Sequence, residues 1–299
     1  MNLHRFLNEN LKAKVALSAA LAAAVVSGYG SVARADDEDI SRLRATNRCP
    51  GCDLRGADLS GFQLQGTNLF EANLHGANLK GADLRSANLA GANLKDANLF
   101  QANLADANLY QADLENATLQ GADLREANLS GSFMSRTNMR KADLRDAVLF
   151  RANLGEAYLD FADLAGADLR QSFLFRTNLE GATLVRANLL GANLQGANLD
   201  GTDLTSANLR SANLADTNLG RAELSGNVLV DALIQGTELG PIVCVIDRTI
   251  NCFVNPNSAT PLPGSVSAPA FQDSGSAPSA APEPPVRGLW NIETNPINN

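Results

Sequence analysis

The sequence predicts an all-β fold, a coil wound from short extended pieces, and three observations predict it. Thirty-eight consecutive pentapeptides run from Asp53-Leu54 to Glu238-Leu239 without a slip of register. The central residue is Leu in 35 of them, with Met134, Met139 and Ile234 as exceptions, and the residue two before it is Ala in 27. Self-similarity sustained over so many copies marks a repeat architecture.

Period five fits neither standard element. On an α-helix each step of five turns the leucine by roughly 140° beyond a full turn, which leaves no apolar face. On one long strand successive leucines would point to opposite sides. The pattern is satisfied when each quintet is a short extended piece followed by a corner, so that Leu and the small residue two before it share one side and point to the axis of a coil. Corner chemistry is present. Gly56, Gly61, Gly81, Gly91, Gly121, Gly196 and Gly201 stand at the second residue after Leu, where positive φ is cheap, and Asn or Asp just before Leu bonds neighbouring backbone. Phe62 and Asn227 are the clear misfits at the small position, near the two ends of the repeat.

With the A-N/D-L-x-x unit in view, as in Ala82-Asp83-Leu84-Arg85-Ser86, residues 52–239 resemble the pentapeptide-repeat family. The resemblance implies a right-handed, four-sided (quadrilateral) parallel β-solenoid with four pentapeptides per coil. An internal echo fits: Ser132-Phe133 with Arg136-Thr137-Asn138 returns 40 residues later as Ser172-Phe173 with Arg176-Thr177-Asn178, two coils of 20 and not a whole number of 15-residue coils. Nine and a half coils at about 4.8 Å each give a rod on the order of 45 Å long.

The other segments follow in order. Residues 1–35 read as a secretory signal peptide: a basic start with Arg5, Lys12 and Lys14, the apolar run Val15–Val26, and Ala33-Arg34-Ala35 before Asp36. Residues 36–51 are expected to cap the first coil, with a short helix through Ile40, Leu43 and Arg44 whose first turn carries Asp37, Glu38 and Asp39. Residues 52–240 are the solenoid. Residues 241–255 are apolar, turn near Asp247-Arg248 and are expected to cover the other end. Residues 256–299 are rich in Pro, Ser and Ala, too polar to bury a core, and read as a disordered tether ending in Leu289-Trp290-Asn291-Ile292.

Removal of residues 1–35 leaves 20 basic and 31 acidic residues, a net charge of −11. An acidic rod is unfavourable for nucleic acid or anionic lipid, so neither is expected as a direct partner, and membrane insertion is not expected. The cysteines lie in two local pairs, Cys49 with Cys52 and Cys244 with Cys252. A rod of this length separates the pairs beyond bridging distance, so two local disulfides are expected, in keeping with export to an oxidising compartment.

Little material for catalysis is present. After processing the one His is His75, in an exterior slot, and neither a metal nor another cofactor is expected. Cys49-Pro50-Gly51-Cys52 invites a redox reading, but the first coil opens directly after it, where a structural staple is the simpler assignment. Two surface patterns stand out. Phe70, Tyr110, Phe150, Leu190 and Val230 recur every 40 residues on one side: a contact stripe for a protein partner or a second copy, or a cover for adjacent backbone. Arg136, Arg140, Lys141, Arg145 and Arg151 cluster mid-rod, beside the departures Phe133, Tyr158 and Phe173: a patch for an acidic partner, or a salt-bridged surface shared with Asp143, Asp146 and Glu156.

The expected function is therefore a non-catalytic exported scaffold, which the resemblance places in a periplasm or thylakoid lumen of cyanobacterial type. Another branch of the family mimics duplex DNA and binds type II topoisomerases. Export and the mid-rod arginines argue against that here. A thiol–disulfide redox protein is the third expectation, resting on Cys49 and Cys52 alone.

Overall fold

In a computed structural model, the described residues are 37–227 and 229–239, together with the backbone of Ile242–Ile246 and Ile250–Val254. The signal peptide and the tail expected over residues 256–299 lie outside them. The repeat forms a right-handed quadrilateral parallel β-solenoid. Its rungs pair each residue before Leu with the residue 20 positions later, from Arg48↔Asn68 to Asn213↔Leu233, ending in the two-residue strands β1 (Asn218–Leu219) and β2 (Glu238–Leu239).

The motif is explained by where its five backbone N–H groups go. In the quintet around Leu54, the Leu54 N–H reaches the Asn73 carbonyl on the next coil and the Gly56 N–H reaches that of His75. Ala57 N–H closes the corner onto the Leu54 carbonyl, and the N–H of the residue before Leu reaches the preceding coil, as Asn78 N–H on the Ala57 carbonyl. One donor, the N–H after Leu, has no backbone acceptor, and the Asn or Asp before Leu supplies it: Arg55 N–H on Asp53 Oδ1, Tyr110 N–H on Asn108 Oδ1, Gln195 N–H on Asn193 Oδ1. Buried polar backbone must be paired, so this position selects Asn and Asp. Their free amides then ladder from coil to coil, as Asn128 to Asn108 and Asn108 to Asn88.

Corners need a left-handed residue. Every fifth position from Gly51 to Gly236 has positive φ except Arg221, and 16 of these residues are glycine. At the exception, Arg221 N–H turns outward to Asp200 Oδ1 at 3.0 Å.

The interior is a leucine column with a small residue beside each leucine. Leu54 through Leu224 are at most 3 % exposed, and Met134 and Met139 fill the same slots. Each buried leucine contributes about 1.5–3 kcal/mol relative to exposure. Interior hydroxyls are all satisfied on carbonyls or side-chain oxygens, Thr137 and Thr177 bonding Leu114 and Leu154 one coil back. The two expected misfits behave differently. Phe62 is half-buried against the core with the Arg44 guanidinium 5.0 Å from its ring centroid, whereas buried Asn227 finds no hydrogen-bond partner among the described residues.

Helix α1 (Asp37–Thr46) lies at the N-terminal end, burying Leu43 and part of Ile40 against the first coil. Asn47 ends it in the left-handed region, its N–H on the Leu43 carbonyl. The solenoid begins at Arg48, one quintet earlier than Asp53-Leu54 suggests, because Cys49 stands in the leucine slot and Cys52 in the small slot. At the other end, β3 (Ile242–Ile246) and β4 (Ile250–Val254) form an antiparallel hairpin in which Cys244 faces Cys252. Whether those sulfurs bond, and whether the hairpin covers the last coil, lies outside the described residues.

Candidate interaction surfaces of the rod

The 20-residue coil decides which surface residues meet. Phe70, Ala90, Tyr110, Ser130, Phe150, Arg170, Leu190, Arg210 and Val230 follow rungs of a single ladder and form a column on one side. Its outward apolar part is short. Phe70 and Tyr110 are 41 % and 46 % exposed, Phe150 is half-buried, and Ala90 between the first two is 6 % exposed. Beyond Phe150 the column changes character: Arg151 and Arg170 place their guanidiniums 5.0 and 5.6 Å from its ring centroid, and Leu190 and Val230 are half-buried.

The five mid-rod basic residues are not brought together. Arg136, Arg140, Lys141, Arg145 and Arg151 occupy one coil but successive corners and sides of it, because residues close in sequence are dispersed around a four-sided circuit. Several are also paired: Arg136 with Glu156 at 2.8 Å, Arg140 with Asp160 at 2.7 Å, Arg145 with Asp143 at 2.6 Å, while Arg151 donates to Gln171 at 2.9 Å. A single basic patch is replaced by a belt of local pairs.

Pairing is systematic on one side, where Arg85, Arg125 and Arg145 each fold back onto the aspartate two residues before and grip both oxygens. Arg125 and Arg145 reach a second carboxylate, Asp143 and Asp163, at 3.6 Å on the next coil. Hydrogen bonds from Arg85 hold the Asp83 carboxyl down at about 2, and the arginine bonds likewise hold Asp123 and Asp143 below the usual carboxylate range.

Two features escape a reading of the linear sequence. Asp106, Glu126 and Asp146 stack on the corner just before the Tyr110 and Phe150 side, all exposed and none ion-paired among the described residues. A second aromatic surface wraps an adjacent edge: Phe133 and Phe173 on one side, Tyr158 on the next and Phe161 on the following corner, 42–58 % exposed. The Phe161 ring lies over Gly181, where a Cβ would stand 2.7 Å from it. Counting residues modulo 20 reveals both groupings.

The remaining candidates are quickly placed. His75 is half-buried, with Nδ1 3.6 Å from Asp96 Oδ2. Cys49 and Cys52 are bonded and buried, 0 % and 2 % exposed. Asp39 brings a carboxylate within 4.8 Å of both sulfurs, but these are joined to each other, and the Asp39 oxygens accept from Asp53 N–H and pair with Arg42. No helix among the described residues is long and apolar enough to cross a membrane.

The family model for pentapeptide repeats matches overlapping segments from residue 49 to residue 239. Among solved structures, the chain is similar to HetL, a pentapeptide repeat protein involved in heterocyst differentiation regulation from the cyanobacterium Nostoc sp. strain PCC 7120. The identity is 39 % over 64 % of this chain and 84 % of that one, with a TM-score of 0.58. It shares its fold with QnrB1, a plasmid-mediated fluoroquinolone resistance protein, at 21 % identity over 61 % and 89 % of the two chains and a TM-score of 0.51. No curated protein matches.

Proposed function

This chain belongs to the pentapeptide-repeat family, and from that premise we propose that it is a non-catalytic, exported scaffold that binds a protein partner along one side of the rod. The observation that carries the reading is the column Phe70–Tyr110–Phe150, its first two rings exposed, on a wall that also carries an asparagine ladder and the Arg170–Asp168 pair. A continuous interior and coil-to-coil hydrogen bonds fix these rings relative to one another, so contact needs no ordering of the backbone. Likeness to a protein involved in a regulatory process supports a role through contact.

Export to a periplasm or thylakoid lumen is part of the proposal, supported by residues 1–35 and by the Cys49–Cys52 bond, which suits an oxidising compartment. Against topoisomerase mimicry stand Arg85, Arg125 and Arg145, which grip Asp83, Asp123 and Asp143 on one side of the rod. Against thiol exchange stands the burial of both sulfurs.

The test is affinity capture from the exporting organism with wild type and the Phe70→Ala/Tyr110→Ala/Phe150→Ala variant. A protein retained by wild type and lost by the variant supports the reading, and an unchanged capture profile removes it. A fusion keeping residues 1–35 that stays unprocessed in the cytoplasm defeats the export proposal.

A further inference from the structure

We propose that the partner is a second copy of this chain, seated antiparallel on the Phe70–Tyr110–Phe150 side about a two-fold axis that crosses midway in height between Phe150 and Arg170. The inference rests on the scaffold reading in taking this side of the rod as the contact surface.

The side is polarised along its length. Its N-terminal half carries the exposed rings Phe70 and Tyr110, flanked on the preceding corner by Asp106, Glu126 and Asp146. Its C-terminal half carries Arg170 and Arg210 in the same column and Arg186 on the same corner, all exposed. Arg170 already grips Asp168, whereas Arg186 and Arg210 form no ion pair among the described residues. Unpaired acid at one end and unpaired base at the other are complementary to a surface of reversed polarity. This same side, turned end over end, is such a surface.

A two-fold axis across the rod pairs residues at equal heights above and below it, and every contact then occurs twice. With the axis between Phe150 and Arg170, Glu126 faces Arg186 of the second copy, each about one and a half coils or about 7 Å from the axis. Tyr110 faces Arg210 of the second copy, each about 12 Å from the axis, which sets a guanidinium against an exposed ring. Ser130 faces Leu190, so the trough between Tyr110 and Phe150 receives an apolar side chain. Three contacts converge on one axis.

Other arrangements do worse. Moving the axis one coil toward the N-terminus sets Glu126 against Asp146, and one coil toward the C-terminus sets Glu126 against Gly226. Placing the copies parallel sets Arg170 against Arg170 and Arg210 against Arg210. Like charges juxtaposed across an interface are penalised, so charge selects both the orientation and the register. The shared face, from Ala90 to Val230, measures about 34 Å along the rod by about 10 Å across. That is well below the about 800 Å² per partner of a standard interface, so the pair is expected to dissociate on dilution.

The test is sedimentation velocity of the full chain from about 1 μM to about 1 mM. Wild type is expected to pass from monomer to dimer within that range. Glu126→Arg and Arg186→Glu alone are each expected to weaken the dimer about tenfold, because each reversal sets like charges together twice. Combining both reversals in one chain, or mixing the two single variants, restores opposite charges at both contacts and is expected to recover association. Both positions are exposed and already hold a non-glycine residue at positive φ, so the reversals leave the corner unstrained. A monomer throughout overturns the proposal, as does a dimer that neither reversal weakens or that mixing fails to restore. A monomer throughout, alongside ring-dependent capture of a different protein, removes the second copy and leaves the scaffold reading standing.

Discussion

Cys49 and Cys52 take, at the start of the solenoid, the two interior slots that leucine and alanine take in later coils, and their bond ties those slots with Cα atoms 5.3 Å apart. The end coil has a neighbour on one side only, so it is where a repeat array frays first. The bond restricts a four-residue loop, which is worth about 2 kcal/mol in the chain-entropy model. Cys49→Ser/Cys52→Ser is expected to lower protection from amide exchange in the first coil while leaving coils near Leu149 unchanged. Cys49→Leu/Cys52→Ala, which restores the repeat, is expected to recover most of that protection. Uniform loss across the rod would show that the bond acts on global folding instead.

Phe173 stands where Asn or Asp serves other coils, and the Phe175 N–H, which Asn would accept, has no side-chain acceptor within its quintet. Phe173→Asn is expected to stabilise the rod by about 0.5–1.5 kcal/mol, the worth of one net hydrogen bond, and to join the amides of Asn153 and Asn193 into one ladder. Asn108→Ala is expected to cost a similar amount, since Asn108 accepts from Tyr110 N–H and donates to Asn88. Urea denaturation checks both. A destabilised Phe173→Asn would mean that the ring's packing outweighs the missing acceptor.

Most of the architecture is legible in the sequence because one physical constraint repeats 38 times. Leucine, the small residue and the Asn or Asp each answer a separate demand of every quintet: filling the axis, fitting beside it, and capping the one N–H that the backbone leaves open. The start of the coil was not legible. Cys49 breaks the leucine pattern although it occupies a leucine slot, so the sequence places the opening of the solenoid at Cys52. For the surface, the Phe70 column is recoverable because its members are two coils apart in sequence. The proposed basic patch was misleading for the converse reason, since nearness in sequence means dispersal around the circuit. Arg221 is unpredictable at the level of the repeat, because its altered corner depends on Asp200 one coil away.

Asp83, Asp123 and Asp143 ionise more readily in the folded rod than in the unfolded chain, because Arg85, Arg125 and Arg145 donate to them. A depressed folded value means that the contribution is fully present above the unfolded value near 4 and is lost as pH falls through the folded one. For Asp83 the window runs from about 4 down to about 2. Stability measured by urea melts is expected to fall across that range. Arg85→Gln/Arg125→Gln/Arg145→Gln is expected to be less stable at neutral pH and to show a flatter slope below pH 4. An acid limb as steep as that of wild type would assign acid sensitivity to other carboxylates.

Asn227 occupies a slot that alanine fills in most coils, 7 % exposed, with both Oδ1 and Nδ2 unpartnered among the described residues. A buried amide without partners forfeits its hydration and gains nothing in return, a penalty of about 1–3 kcal/mol. Asn227→Ala restores the residue that the narrow interior accommodates and removes the penalty, so it is expected to stabilise the C-terminal coils. The gain should appear as slower amide exchange from Leu204 to Leu229, with no change near Leu84. In a quasi-one-dimensional array, such a gain stays close to its source. Exchange that quickens after the substitution would show that the Asn227 amide is satisfied in solution, and the slot would then be selected for that bond.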